Sequence, residues 1–396
     1  MATWLPWDEA KVRREISGNV PARARSPRPS RGVLRSARDG LGGAAQPTVL
    51  RDYVVSGRPR RVFGGYTGGE APRGWCKTAS MRITVLAGGV GAARFLRGLL
   101  AAVPDADITV IGNTGDDFTP FGLHVCPDLD TVMYTLGGGI SEQQGWGRAG
   151  ESRVVLGELA AYGAGPSWFG LGDLDIATHI LRNQLLAEGH TLSGATAKLC
   201  ERWQPGVTLL PMSDDPVRTH VTVELDGQEQ AIHFQEWWVR LHAAAPARKI
   251  EAVGAAQASP APGVLDAIGE ADFLLFPPSN PVVSIGIILA VPGIADAVRA
   301  QTVVGVSPII GGAPVRGMAD ACLTAIGVET SAIAVGAHYG PELLDGWLVD
   351  DQDKDAVDSP ELAGITVRSR PLYMTNLATS AEIARAAVEL ALEVRR

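Results

Sequence analysis

Arg82-Ile83-Thr84-Val85-Leu86-Ala87 is a short β-branched, apolar run that passes directly into Gly88-Gly89-Val90-Gly91 and then into the helix-like stretch Ala92 to Leu100. A fully apolar strand must be covered on both faces, and a strand that turns on glycines into a helix is the opening unit of a doubly wound α/β domain. The pattern repeats. Further strands are expected at Ile108–Gly112, Phe273–Phe276 and Val303–Val306, separated by helix-length stretches such as 282–290 and 293–300. The expected fold is therefore a Rossmann-like, doubly wound, mostly parallel sheet with helices on both faces.

Two stretches depart from that alternation. Residues 152–203 read as mostly helical, and Val221–Leu225, Asp226-Gly227 and Ala231–Phe234 read as a hairpin, so an inserted α+β lobe is expected over 151–244. The nucleotide-binding core would then be 81–150 with 245–396. Residues 1–80 carry 15 basic and 6 acidic side chains, against 20 and 37 in the remainder. Rich in Arg, Pro, Gly and Ser, they are expected to form a disordered basic extension, and the strand beginning just after Met81 makes an early start codon the simplest account of them. The chain as a whole carries a net charge of −8, which argues against a dedicated nucleic-acid binder.

The apolar region 273–295 is interrupted by Pro277, Pro278, Pro281 and Pro292, so no membrane span is expected. Cys76, Cys126, Cys200 and Cys322 show no C-x-x-C spacing, which fits a reducing, cytoplasmic setting.

The chemistry-bearing residues cluster after the expected strands. The glycine turn Gly88, Gly89 and Gly91 could bring backbone N–H groups to a phosphate, or could be only a tight turn; it matches neither G-x-G-x-x-G nor a P-loop. Asn113-Thr114-Gly115-Asp116-Asp117 follows the second strand, and Asp128 and Asp130 come eleven residues later at the start of a helix. Four carboxylates near one sheet edge suit a hard cation such as Mg2+; helix capping and turn formation are the competing readings. Asp173 and Asp175 form a second pair that helix capping accounts for equally well, with His179 as a core histidine. Ser213-Asp214-Asp215, Ser279-Asn280 and Ser307 to Gly312 are polar loops that could fix a base, a ribose or a polyol. Neither H-E-x-x-H nor G-x-S-x-G occurs.

Taken in order, the motifs Ala87 to Leu96, Gly112 to Asp117, Cys126 to Thr131, Met212 to Asp215, His233 to Arg240, Pro278 to Gly286 and Ser307 to Gly311 resemble those of the 2-phospho-L-lactate transferases of coenzyme F-420 biosynthesis. The similarity is greatest to the actinobacterial branch, which uses a phosphoenolpyruvyl donor, and it runs from Met81 to the C-terminus. The resemblance implies a Mg2+-dependent transfer of a phosphoenolpyruvyl or phospholactyl group from a guanosine-diphosphate-linked donor to the ribityl hydroxyl of the deazaflavin Fo, with release of GMP. It implies a homodimer as well. Asp128 and Asp130 would bind Mg2+ or orient the attacking hydroxyl, with one of them as general base, and Asn113, Asp116 and Asp117 would shape that site. Gly88, Gly89, Gly91, Ser279, Asn280, Ser307 and Gly311 would hold the guanine nucleotide, and Ser213 and Asp214 would lie toward Fo.

Two positions depart from the family pattern: Ala92 replaces a common glycine, and Leu174 a common arginine for which Arg218 or Arg182 would have to substitute. The alternative from another class is a nucleotide-sugar-binding regulator of the same fold. A dinucleotide-dependent oxidoreductase rests on fold analogy alone.

Overall fold

A computed structural model describes residues 80–395 of the chain. The expectation of a disordered extension over 1–80 falls, apart from Ser80, outside the described residues, as does Cys76.

The strands are β1 (Arg82–Ala87), β2 (Asp107–Gly112), β3 (Thr208–Pro211), β4 (Arg218–Leu225), β5 (Gln228–His233), β6 (Lys249–Val253), β7 (Phe273–Phe276), β8 (Val303–Val306), β9 (Ile309–Ile310), β10 (Ala313–Pro314), β11 (Gly346–Val349) and β12 (Thr366–Ser369). Seven of them form one sheet in the order β12-β11-β8-β7-β1-β2-β3, with every pairing parallel. The first half of the chain builds outward from β1 through β2 to β3, and the second half builds in the opposite direction from β7. The strand order therefore reverses between β1 and β7, which is where a doubly wound sheet opens its ligand crevice.

β1, β7, β8 and β11 are buried along almost their entire length, as a parallel sheet covered on both faces requires. One apolar layer packs the sheet against the helix α1 (Gly89–Ala102) and the C-terminal helix Leu377–Val394; a second covers the opposite face with Val264, Ile268, Ile294, Val298 and their neighbours. α1 and the C-terminal helix approach so closely that a Cβ on Gly98 would stand 2.4 Å from the Ser380 carbonyl oxygen.

The helices α2 (Pro127–Leu136), α3 (Val154–Ala161), α4 (Asp173–Ala187) and α5 (Leu192–Trp203) follow β2. The expected hairpin is β4 and β5, paired antiparallel through Asp226 and Gly227, whose φ values of 52° and 75° give the two left-handed positions of a tight hairpin turn. It joins β6 in a separate three-stranded sheet. Two strands cross the expected lobe boundary. β3 lies within 151–244 yet forms the edge of the large sheet, and β6 lies beyond 244 yet belongs to the small one.

Candidate active site

At the β1–β7 reversal, the turn after β1 and the turn after β7 are joined by one hydroxyl. Ser279 Oγ donates to the Gly88 carbonyl at 2.9 Å and faces the Gly88 amide at 3.3 Å. Both glycines of this seam are required by space. A Cβ on Gly88 would stand 2.5 Å from Ser284 Cβ and 2.8 Å from Asp128 Oδ2, and one on Gly91 would stand 2.3 Å from the Pro278 carbonyl oxygen. Gly89, with φ of 73°, turns its amide inward and donates to Asp128 Oδ1 at 2.8 Å.

Asp128 is the hub of the site. Its second oxygen accepts from Asn113 Nδ2 at 2.9 Å, and the same amide group reaches the Val283 carbonyl at 3.2 Å. Asn113 Oδ1 accepts from the Gly115 amide at 2.9 Å, which fixes the turn that presents Asp116 and Asp117. Asn280 caps the following helical turn, accepting from Val282 and Val283 at 2.9 and 3.2 Å. Thus Gly88, Gly89, Asn113, Asp128 and Ser279 meet directly, with Asp116, Asp117 and Asn280 immediately beside them.

Burial and mutual repulsion shape the acids of this pocket. Asp116 is buried, its Oδ1 has no hydrogen-bond partner, and its pKa lies well above the ordinary carboxylate value. Burial is the main cause, and the neighbouring charges of Asp128 and Asp117 add to it. Burial also pushes Asp128 up to about 6, against the lowering effect of the Asn113 and Gly89 hydrogen bonds. A partnerless carboxylate oxygen among mutually repelling acids is what a bound divalent cation would satisfy, so Asp116 and Asp128 fit a hard cation such as Mg2+.

Asp130 does not share that pocket. Residues two apart on a helix point about 200° from one another, so Asp128 faces the glycine turn while Asp130 faces α4. There Asp130 Oδ2 accepts from Arg182 Nη1 at 3.1 Å, Arg182 Nη2 binds Oδ1, and His179 Nδ1 lies 3.8 Å away. Burial works against the charge on Arg182, but the adjacent Asp130 more than compensates and holds the guanidinium protonated. The structure therefore does not bring the expected pair Asp128 and Asp130 together; the carboxylate that shares the Asp128 pocket is Asp116. Arg182, committed to Asp130, is not a substitute for the arginine missing at position 174.

Leu174 itself is exposed, with its backbone held between Glu151 and Arg148. Asp173 and Asp175 have structural tasks: Asp173 accepts from the amides of Val154 and Val155 at the start of α3, and Asp175 accepts from the Tyr134 hydroxyl at 2.7 Å.

Ser213 and Asp214 are likewise engaged. Ser213 Oγ donates to the Ser259 carbonyl at 2.6 Å, and Asp214 spends both carboxylate oxygens on Ser193, at 2.6 and 2.9 Å. These contacts tie the segment after β3 to Ser259 and to the start of α5. Ser307 closes a local turn with Ile309, and the Gly311 amide donates to both oxygens of Asp353 at 3.1 and 3.0 Å.

An aromatic group next to Asp117 was not legible in the sequence. The Phe118 ring lies 6.1 Å from Trp168, 4.4 Å from Phe169 and 5.6 Å from His233, and all four side chains are partly exposed. Burial lowers the pKa of His233 to about 4. The neutral ring donates from Nε2 to the Asp117 carbonyl at 3.1 Å and accepts from the Gln235 amide at Nδ1.

A family model described as 2-phospho-L-lactate transferase CofD matches residues 83–368. Proteins named phosphoenolpyruvate transferase from Streptomyces coelicolor and Thermobifida fusca are each 66% identical to this chain, over 80% of it and 99% of their own length. One of the same name from Nocardia farcinica is 54% identical over 78% of this chain and 95% of the relative. A crystal structure of a UPF0052-family protein from Bacillus halodurans superposes with a TM-score of 0.53 at 18% identity, covering 78% of this chain and 99% of the other, and so shares the fold. With the family match spanning the sheet, the glycine seam and the Asp128 pocket together, the chain belongs to the 2-phospho-L-lactate transferase CofD family.

Proposed function

We propose that the chain is a transferase of coenzyme F-420 biosynthesis that moves a phosphoenolpyruvyl group from a guanosine-diphosphate-linked donor to the ribityl hydroxyl of Fo, releasing GMP. The observation that carries the reading is the Asp128 pocket, which sets a glycine turn, an amide side chain and a partnerless buried carboxylate around one point of the switch crevice. The name shared by relatives up to 66% identical supports phosphoenolpyruvyl as the group moved.

In this reaction the acceptor hydroxyl oxygen attacks the phosphorus bearing the enolpyruvyl group, a new O–P bond forms, the hydroxyl proton leaves to solvent, and the bond from that phosphorus to the oxygen of GMP breaks, releasing GMP. Such transfers depend mainly on positioning and charge neutralisation. Asp116 and Asp128 are the residues that would hold Mg2+, which when bound offsets the charge of the diphosphate. Gly89 and Asn113 fix the orientation of Asp128, and the Ser279 bridge keeps the two halves of the crevice together. The partly exposed rings of Phe118 and Trp168, 14° from parallel, with Phe169 edge-on to both, offer apolar ring faces suited to a deazaflavin. Asp130 acts at one remove, as a positioning residue through Arg182.

A homodimer belongs to the same proposal. Val154 and Tyr162 are 68% and 85% exposed, and no side chain of the apolar α3 is buried, which leaves a face suited to a second copy. Light scattering on the eluting protein should give the dimer mass, and Val154→Glu should shift it toward the monomer.

The deciding experiment is fluorescence titration with Fo at fixed Mg2+, with and without GDP, followed by a transfer assay with the phosphoenolpyruvyl donor. Saturable Fo binding and release of GMP are expected. A folded protein that ignores Fo but binds a uridine diphosphate sugar would replace this reading with that of a regulator.

A further inference from the structure

Asp117, His124 and Cys126 meet at the neck of the loop between β2 and α2. Phe118 and Val125 form an isolated antiparallel bridge, with N–O distances of 3.2 and 3.0 Å, so residues 117 and 126 stand side by side just outside it and residue 124 just inside. One carboxylate oxygen, one imidazole nitrogen and the thiol sulfur all lie within 4.8 Å of one another. The backbone of His124 is pinned on both sides: its amide donates to Asn183 Oδ1 at 3.1 Å and its carbonyl accepts from Arg182 Nη1 at 3.2 Å. His124 Nε2 lies 3.1 Å from Asp117 Oδ2, while Asp117 Oδ1 is buried with no hydrogen-bond partner.

We propose that these three side chains form a second metal site, for a borderline-soft divalent ion such as Zn2+. Mg2+ selects oxygen donors, whereas a carboxylate, an imidazole and a thiolate together are a zinc-type set. Bonds of about 2.0–2.3 Å in a tetrahedron put donor atoms roughly 3.3–3.8 Å apart, so only a small contraction of the observed cluster is needed. The fourth position belongs to water on the His124 side, where 21% of the imidazole side chain remains exposed. On binding, the Cys126 sulfur–metal bond replaces the S–H bond and the proton leaves to solvent. Two anionic ligands then neutralise the ion, and the nearby charge of Arg182 is already matched by Asp130. The ion would clamp the neck of the loop that carries Phe118. The site shares no ligand with the Asp116–Asp128 pocket, and it borders the aromatic group of Phe118.

Co2+ is the probe, titrated into the full chain. One equivalent should produce a thiolate-to-cobalt charge-transfer band with the intense visible bands of four-coordinate Co2+. Zn2+ should bleach both, and excess Mg2+ should bleach neither. Cys126→Ser should abolish the charge-transfer band, His124→Ala should weaken Co2+ affinity at least tenfold, and Cys200→Ser should change nothing. Absence of the band in folded wild-type protein, or its survival in Cys126→Ser, would overturn the proposal. Should Cys126→Ser not fold, His124→Ala decides on its own, because the ring it removes is partly exposed and unchanged affinity there rejects the site.

Discussion

Asp130 and Arg182, 52 residues apart, face each other as a buried bidentate ion pair, with side-chain exposures of 6% and 1%. The carboxylate lies one helical half-turn from Asp128 and belongs to a different environment. Breaking such a pair on one side leaves a buried charge without a partner. Arg182→Met is therefore expected to lower unfolding stability by about 3–5 kcal/mol in urea titrations, and Asp130→Leu combined with Arg182→Met to recover most of that loss. Equal losses in the single and double variants would show that packing, not charge, dominates.

Asp116 carries the opposite expectation. Its charged form is disfavoured by burial and by Asp128 and Asp117, so Asp116→Asn should stabilise the metal-free protein by about 1 kcal/mol. The same change should lower turnover by at least about 100-fold and remove the thermal shift produced by Mg2+. An Asp116→Asn protein that keeps both turnover and its Mg2+ shift would exclude this residue from the cation site.

The pH dependence follows from the direction of these shifts. A carboxylic acid whose folded pKa is raised binds its proton more tightly in the folded state, so stability falls as pH rises from the unfolded value to the folded one. For Asp128 that window runs from the ordinary carboxylate range up to about 6, and Asp116 extends the trend in the same direction. A divalent cation binds the ionised forms and reverses the effect. Differential scanning fluorimetry should show a small Mg2+-induced rise in Tm at pH 5 and a larger one at pH 7.5; a rise that is larger in acid would contradict the assignment.

Two glycine substitutions separate sterics from helix propensity. Gly91→Ala places a methyl 2.3 Å from the Pro278 carbonyl oxygen and must push the β1 and β7 turns apart, at a cost of about 1–3 kcal/mol, with weaker binding of GDP. Gly269→Ala lies in the helix Val264–Glu270 with nothing within 4 Å of the new methyl and should stabilise by up to about 1 kcal/mol. Chemical denaturation of both variants checks the contrast.

The strands that could be read from the sequence are the ones with unbroken apolar runs. β1, β2, β7 and β8 lie in the centre of the sheet, where both faces are covered and, after the exposed Arg82 and Asp107 that open β1 and β2, every position is apolar or small. β3 ends in Pro211, and β12 mixes Thr366, Arg368 and Ser369 with one buried valine; edge strands like these carry little hydrophobic signal. In the site, Asp128 stood out as one of four carboxylates gathered close after the second expected strand. That Asp130 would turn away follows from helical periodicity once the helix is known to begin at Pro127, but its partner Arg182 has no local signature. The same holds for His124 and Cys126, which become neighbours of Asp117 only when the Phe118–Val125 bridge closes.

The Ser279–Gly88 bridge joins positions 191 residues apart. The glycine turn, Asn113 and Asp128 all leave the ribosome long before β7, so for most of synthesis half of the crevice waits without its opposite wall. Contacts of such separation form late in folding. A chain cut short before Phe273 would carry the acids and the glycines but no seam to close over a nucleotide, and nucleotide capture thereby becomes a marker of a finished chain.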